Sequence, residues 1–78
     1  MLKVTVYSTE SCQWCAKAKE FFKENKIAFT NKNVGKDAKA AKEMIAKSGQ
    51  KGVPVIDING KIIVGFDDGE LRKALKLG

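Results

Sequence analysis

The sequence contains no histidine, one proline and only two cysteines among its 78 residues. Without histidine, the two thiols lack their usual companion in a zinc site. No apolar run approaches the ~20 residues that span a bilayer, which argues against a membrane partner. The N-terminal stretch "MLKVTVYSTE" alternates in polarity, which predicts a strand rather than a signal peptide. We therefore expect a cytoplasmic protein, in which a pair of cysteines is more often catalytic or metal-binding than structural.

Arginine is almost absent from a chain that is otherwise rich in basic residues. Fifteen basic residues oppose nine acidic ones, for a formal net charge of +6, and Arg72 is the only arginine. The lysines are spread along the chain and recur at helical spacing, as Lys19, Lys23 and Lys26 do. A nucleic-acid-binding surface more often clusters arginine with aromatic residues. We expect a solvated lysine surface, no nucleic-acid partner and weak steering toward acidic proteins.

The periodicity of the apolar residues predicts the element order β-α-β-α-β-β-α within a single domain spanning residues 1–78. The predicted elements are, in chain order, a strand over residues 2–7, a helix over about 13–25, a strand over 27–30, a helix between caps at Asp37 and Gly49, a strand over 53–58, a strand over 61–64 and a helix capped by Asp67 or Asp68.

The connections between these elements predict the sheet. A helix joins the first two strands, so they should be parallel. The pair Asn59-Gly60 is a strong signal for a two-residue hairpin, so the last two strands should be antiparallel. A four-stranded mixed sheet with helices on both faces is the simplest arrangement that buries every apolar face.

Both cysteines lie in the stretch "SCQWC", residues 11–15, where the first strand gives way to the first helix. A structural disulfide across so short a loop would contribute only about 2 kcal/mol and would tie down no distant element. A zinc or iron–sulfur site would need a second chain or an external thiol, which makes a dimeric metal or cluster carrier the alternative function. We do not expect two inert, buried thiols at such a junction.

A redox pair is the interpretation that this position favours. The free N–H groups and the dipole at a helix N-terminus stabilise an anion, so we expect Cys12 to be the nucleophilic thiolate. Cys15 lies three residues on, facing the same side of the helix, and we expect it to be more buried and protonated. It would displace the captured substrate sulfur from Cys12. Lys17 and Lys19 are most simply exposed lysines, although they could add positive potential nearby.

Trp14 is the only tryptophan, and it lies between the two cysteines. Its place in the first helical turn allows two roles. It could cover the active sulfurs and contact partners, or it could anchor the helix in the core. The sequence leaves both open.

The stretches "YSTESCQWC" and "GVPVIDINGKIIVGFDD", in this element order, resemble a small glutaredoxin-like protein of the thioredoxin fold, over essentially the whole chain. The resemblance implies an α/β fold with a four-stranded mixed sheet and three helices. It also implies a monomeric dithiol–disulfide oxidoreductase that acts in electron transport without a bound cofactor. Such a protein reduces protein or low-molecular-weight disulfides and is recharged by glutathione or by thioredoxin reductase.

The same resemblance implies a substrate site around the single proline. It implies a cis Val53-Pro54 peptide that faces the dithiol and presents the backbone of Val53 to an extended substrate segment. The further substrate-binding positions that it implies are Gln13, Trp14, Lys51, Gly65, Phe66, Asp67 and Asp68. Lys51 would meet one carboxylate of glutathione. Asp67 and Asp68 mark the start of the last helix, whose N–H groups could receive the other carboxylate, unless these aspartates only cap that helix.

The chain also departs from the pattern of glutathione-dependent glutaredoxins. Thr9 stands where such proteins often have lysine, Gln13 where they commonly have proline, and Gly52 where they have threonine. Val64 replaces the first glycine of a Gly-Gly pair, and Phe66 follows the second. The resulting Gly-Phe is similar to the redoxins that serve ribonucleotide reductase and are recharged by thioredoxin reductase. The use of glutathione therefore stays open.

Overall fold

A computed structural model of the chain describes residues 3–75. The elements are, in chain order, β1 (Val4–Ser8), α1 (Gln13–Glu24), β2 (Thr30–Asn33), α2 (Ala38–Ser48), β3 (Val55–Ile58), β4 (Lys61–Val64) and α3 (Asp68–Leu75). The predicted order is confirmed. Residues 1–2 and 76–78 of the predicted domain lie outside the described residues. The predicted place of Leu2 in the first strand therefore lies outside them as well.

The four strands form one mixed sheet in the order β2-β1-β3-β4. β1 pairs with β2 in parallel and with β3 antiparallel, and β3 pairs antiparallel with β4. The mixed sheet is therefore confirmed. None of the helices within residues 3–75 combines the length and apolar character that crossing a bilayer requires.

Helices cover both faces of the sheet, which explains why all five residues of β1 are buried. Val4 and Val6 pack with α1 and α3, whereas Tyr7 packs on the other face with Met44 of α2. The larger cluster consists of Val4, Val6, Ala18, Phe21, Phe22, Ile56, Ile58, Ile63, Leu71 and Leu75. A central strand between two helical layers has no solvated face, so Thr5 is buried as well.

A polar cluster joins α2 to the sheet. The Tyr7 hydroxyl donates a hydrogen bond to Glu43, which also pairs with Lys32 at 3.0 Å. Lys47 pairs with Asp57 of β3 at 2.7 Å. The hydrogen bond from Tyr7, followed by that from Lys32, lowers the pKa of Glu43 to about 2. Glu43 is therefore ionised at neutral pH and holds α2 against β1 and β2.

The predicted position of the second strand was wrong, since the strand covers Thr30–Asn33 rather than residues 27–30. Ile27 and Phe29 pack against the larger core cluster from the segment that follows α1. Lys26 has a left-handed φ of 56° and turns the chain there. Ile27 and Phe29 therefore pack on the core in the segment that precedes the strand. β2 is an edge strand, so its polar sequence needs no apolar alternation.

The predicted caps and turns are confirmed almost throughout. The Asp37 carboxylate accepts hydrogen bonds from the first turn of α2, and Gly49 ends that helix with a φ of 74°. Asn59 and Gly60 have φ values of 52° and 96°, as a hairpin turn of this kind requires. β3, however, begins at Val55 rather than residue 53, because Pro54 has no N–H to donate to the ladder.

Candidate active site

The two cysteines occupy the first turn of α1, directly after the loop that leaves β1. Cys12 is the N-cap residue, with an extended backbone, and its Sγ accepts a hydrogen bond from the Cys15 N–H at 3.1 Å. Its carbonyl oxygen accepts from the N–H of Ala16 at 3.2 Å. Cys12 is partly exposed, so a substrate can reach its sulfur. The sulfur therefore lies where the helix presents its unpaired N–H groups, which favour a negative charge.

Cys15 has a different environment, as the sequence predicted. Its side chain is fully buried, and neither cysteine is in a disulfide. Burial, followed by the hydrogen bond with Cys12, raises the pKa of the Cys15 thiol to about 12. The thiol is therefore protonated at neutral pH. The pair thus consists of one accessible sulfur at the helix terminus and one buried thiol behind it.

This asymmetry predicts selective alkylation. At about pH 8 we expect iodoacetamide to modify Cys12 and to leave Cys15 intact, because only a thiolate reacts and Cys15 holds its proton. Labelling of Cys15 should require a considerably higher pH, because burial and the hydrogen bond with Cys12 raise the pKa of its thiol. Peptide mapping by mass spectrometry measures both sites. The chain denatured in guanidinium should label at both cysteines, and equal labelling in the folded protein would contradict the assignment.

Trp14, which lies between the two cysteines in the sequence, lines a cleft. The side chain of Trp14 is 55% exposed, so the alternative in which it anchors α1 in the core is wrong. The buried residues of α1 are instead Cys15, Ala18, Phe21 and Phe22. The cleft has a volume of about 250 Å³ and is lined by Trp14, Val53, Pro54, Gly65 and Phe66. The fold therefore brings together five of the predicted substrate-binding residues.

The peptide between Val53 and Pro54 is cis, as the resemblance implied. The carbonyl oxygen of Pro54 accepts a hydrogen bond from the Gly65 N–H at 2.7 Å, which joins the two sides of the cleft floor. Among the described residues, the backbone of Val53 makes no hydrogen bond. Its N–H and C=O groups can therefore pair with an extended segment from outside.

The other predicted site residues lie outside this cleft. Asp67 caps α3, since its Oδ1 accepts from the Glu70 N–H at 3.2 Å. Asp68 pairs with Arg72 one turn further along the same helix. Lys51 is exposed and does not line the cleft, and Gln13 is exposed at the first position of α1.

Two residues that support the cleft were not identified as such from the sequence. Phe21 packs edge-on against Phe66, with their ring centroids 6.0 Å apart. Lys17 was considered only as a source of charge, yet its Nζ lies 4.6 Å from the centroid of the Trp14 ring. No local signal could have identified Phe21, because its contact with Phe66 depends on how α1 packs against a distant segment.

The sheet order, the three helices within residues 3–75, the dithiol at the start of α1 and the cis-proline before β3 define a protein of the thioredoxin fold. The glutaredoxin family model matches residues 4–63. That match covers most of the chain, and the chain belongs to the glutaredoxin family.

Individual relatives agree with this assignment. An uncharacterized glutaredoxin-like 8.6 kDa protein in the rubredoxin operon of Clostridium pasteurianum is 47% identical over 73 residues, covering 94% of this chain and 97% of that protein. Glutaredoxin 3 of Escherichia coli K12 is 34% identical over 68 residues, covering 87% of this chain and 82% of that protein. A crystal structure of a mutant of the thioredoxin-like protein BC3987 matches with a TM-score of 0.91 at 29% identity, covering 96% of each chain.

Proposed function

We propose that this chain is a dithiol–disulfide oxidoreductase that reduces protein or low-molecular-weight disulfides through Cys12 and Cys15. The observation that carries the proposal is the position of Cys12 Sγ at the N-cap of α1, where it accepts the Cys15 N–H at 3.1 Å while the Cys15 thiol is buried behind it. Membership of the glutaredoxin family supports redox chemistry at this pair.

The reaction proceeds in two exchanges. The Cys12 thiolate attacks one sulfur of the substrate disulfide, forms a mixed disulfide and expels the other substrate sulfur, which takes up a proton. The Cys15 thiol then loses its proton and attacks Cys12 Sγ, which releases the second substrate sulfur as a thiolate. The substrate has gained two electrons and the protein is left with a Cys12–Cys15 disulfide. Two thiols of a reductant, or a dithiol–flavin reductase, return those electrons.

The raised pKa of Cys15 separates the two exchanges in time. A protonated Cys15 does not compete for the substrate disulfide, so the exposed sulfur attacks first. Once the mixed disulfide forms, the contributions of Cys12 to the raised Cys15 pKa are removed, whereas burial, the largest cause, remains. The second deprotonation then becomes easier at the point where it is needed.

The substrate docks beside the cis-proline. The unpaired N–H and C=O of Val53 can hold an extended segment as a short added strand, which brings its disulfide toward Cys12. The working form is a monomer that acts in the cytoplasm without a bound cofactor.

The proposal is tested by asking which electron donor reduces the oxidised protein. The oxidised protein is offered glutathione, or thioredoxin reductase with NADPH, in separate reactions. We expect at least one of them to restore two free thiols per chain, which a thiol reagent counts. Trp14 fluorescence should rise in parallel, because the indole lies beside the disulfide that quenches it. If neither donor reduced the Cys12–Cys15 bond, the proposed cycle could not turn over.

A metal or cluster carrier is the alternative that the sequence raised. Within residues 3–75 no three histidine, cysteine, aspartate or glutamate side chains form a group that could hold a metal ion. A cluster would therefore need thiols from a second chain or from free ligands. No observation favours that assembly, so we do not propose it.

A further inference from the structure

A polar pocket lies at the opposite end of β1 from the dithiol. β1 ends at Ser8 and leads into the loop before Cys12, whereas the pocket surrounds Thr5 and the turn that joins β3 to β4. The pocket has a volume of about 240 Å³, and its walls come from β1, β2, β3, this turn and two side chains of α2. It is therefore separate from the candidate active site, and the redox reaction makes no use of it.

A row of polar residues crosses the sheet at the floor of the pocket. Thr5 of β1 is paired in register with Thr30 of β2 on one side and with Asp57 of β3 on the other. Thr5 is only 9% exposed, and its hydroxyl forms no hydrogen bond with a described residue. No fully buried side-chain oxygen within residues 3–75 lacks a partner, so this hydroxyl is open to the pocket. A nearly buried hydroxyl that lacks a protein partner is available to a ligand.

Further hydrogen-bond donors of the pocket are also free. Lys3 is exposed and forms no ion pair with a described residue. The Oδ1 of Asn59 accepts a hydrogen bond from the Lys3 N–H at 2.7 Å, which leaves the NH₂ group of that amide without a partner among residues 3–75. The hydroxyls of Thr5 and Thr30 add two more donors on the floor. The pocket therefore presents an ammonium group, an amide and two hydroxyls to whatever enters it.

The two carboxylates in the lining are already matched by lysines. Asp57 pairs with Lys47 at 2.7 Å. Glu43 pairs with Lys32 at 3.0 Å. These two ion pairs cancel in charge, whereas the positive charge of Lys3 remains. The pocket thus combines a surplus of positive charge with a surplus of donors, and an anion is the complement of both.

From this arrangement we propose that the pocket, here called the lysine pocket, binds a phosphate group, either as the free ion or as part of a phosphomonoester. An ammonium group binds phosphate as a point charge, whereas a planar carboxylate is matched best by the fork of an arginine, and none of the described residues in the lining is arginine. The free donors come from different strands and from the hairpin turn, so they approach the space from several directions. The tetrahedral oxygens of phosphate accept hydrogen bonds from several directions as well.

Amide shifts in NMR spectra of the isotope-labelled chain measure this binding. The chain is titrated separately with sodium phosphate, glycerol phosphate and sodium acetate, and sodium chloride holds the ionic strength constant. We expect saturable shifts at Thr5, Thr30 and Gly60 with both phosphates. Tighter binding of glycerol phosphate would identify an ester as the ligand, and tighter binding of phosphate itself would identify the free ion. Acetate should bind at least about threefold more weakly, because phosphate carries close to two negative charges at about pH 7.

Two substitutions assign the binding to the lysine pocket. Thr5→Val should weaken phosphate binding about fivefold, the effect of one lost hydrogen bond, because valine keeps the shape of threonine without its hydroxyl. Valine suits a buried strand position, so this variant should fold. Lys3→Gln should weaken phosphate binding by at least about threefold, because it removes the charge that no described carboxylate pairs. Lys23→Gln is the matched control, since it removes the same charge from an exposed position on α1, which packs on the other face of the sheet.

Thermal unfolding gives a second readout, because an anion that binds only the folded chain raises its midpoint. Phosphate should raise the midpoint of the parent protein more than that of Thr5→Val. If phosphate produces no shifts in the pocket beyond those of chloride, or if acetate binds equally well, the lysine pocket is not a phosphate site. The same conclusion follows if Thr5→Val binds phosphate like the parent, or if Lys23→Gln weakens binding as much as Lys3→Gln. These results are independent of the redox function, since a chain that binds phosphate here but reduces no disulfide contradicts only the function proposed above.

Discussion

Replacing Cys12 with serine is expected to abolish disulfide reduction, a loss on the order of 10³-fold or more, because a hydroxyl is not ionised at neutral pH and cannot attack a disulfide sulfur. The structure shows that this variant removes the nucleophile without removing the helix cap. Serine also accepts N-cap hydrogen bonds, so the cap of α1 is kept while the nucleophile is lost. The measurement is the rate of hydroxyethyl disulfide or insulin reduction with the donor that recharges the parent protein.

The same assay distinguishes the roles of the two cysteines. Cys15→Ser should still form a mixed disulfide, which mass spectrometry detects as an adduct on Cys12, but it should not release the second substrate sulfur from a protein substrate. Ala16→Ser is the matched control, since it adds the same hydroxyl to an exposed position of α1 outside the dithiol. A Cys12→Ser variant that reduced disulfides at the parent's rate would refute the assignment of the nucleophile.

Replacing Phe22 with alanine is expected to lower the free energy of unfolding by about 3–5 kcal/mol. Phe22 is fully buried, and its ring packs against Phe21 and Phe29 at centroid distances of 5.6 and 5.5 Å. These rings join α1 to the segment that precedes β2, so the cavity cannot collapse without moving both. The free energy of unfolding of a small domain is only about 5–15 kcal/mol, so this substitution would bring the protein close to unfolding.

Urea denaturation followed by circular dichroism measures the effect through the midpoint of the transition. Ile45→Ala provides the control, because Ile45 is 37% exposed on α2, so its truncation should lower the free energy of unfolding by no more than about 1 kcal/mol. Cys12→Ser should likewise keep the parent's midpoint, which separates loss of chemistry from loss of fold. A loss below about 1 kcal/mol for Phe22→Ala would mean that the core does not depend on this ring.

Local signals predicted most of the fold. The caps at Asp37 and Gly49 and the Asn59-Gly60 turn were identified correctly, because each depends on the conformational preferences of one or two residues. The strand β2 was misplaced for the opposite reason. Apolar residues such as Phe29 were taken as strand residues, yet they pack on the core, and the polar residues after them pair with β1. A residue can be buried in the core without pairing in a strand, and the composition of a segment does not show which of the two it does.

In the candidate site, too, local features could be predicted from the sequence, whereas features that depend on the folded structure could not. The two thiols could be found from their spacing and their position at a strand-to-helix junction, since a helix terminus acts on an anion only within its first turn. The asymmetry between them followed from helical geometry, and the burial of Cys15 confirms it. The predicted glutathione contact, in which N–H groups at the start of α3 receive a carboxylate, could not be judged from the sequence. Whether those N–H groups are free depends on the cap of the folded helix, and the Glu70 N–H already donates to Asp67 Oδ1.

The sequence by itself determined the chemistry of this protein: two thiols at the start of the first helix, one proline before a hairpin, and the order of elements that brings them to the same end of a sheet. Only the tertiary structure decided what surrounds those sulfurs. Trp14 could have been a core residue or a surface residue, and the folded chain leaves it exposed, with its ring stacked near that of Phe66 at the cleft. The physical reason is that the N–H groups around Cys12 Sγ come from within one helical turn, whereas the shape of a binding surface depends on contacts between segments far apart in the chain.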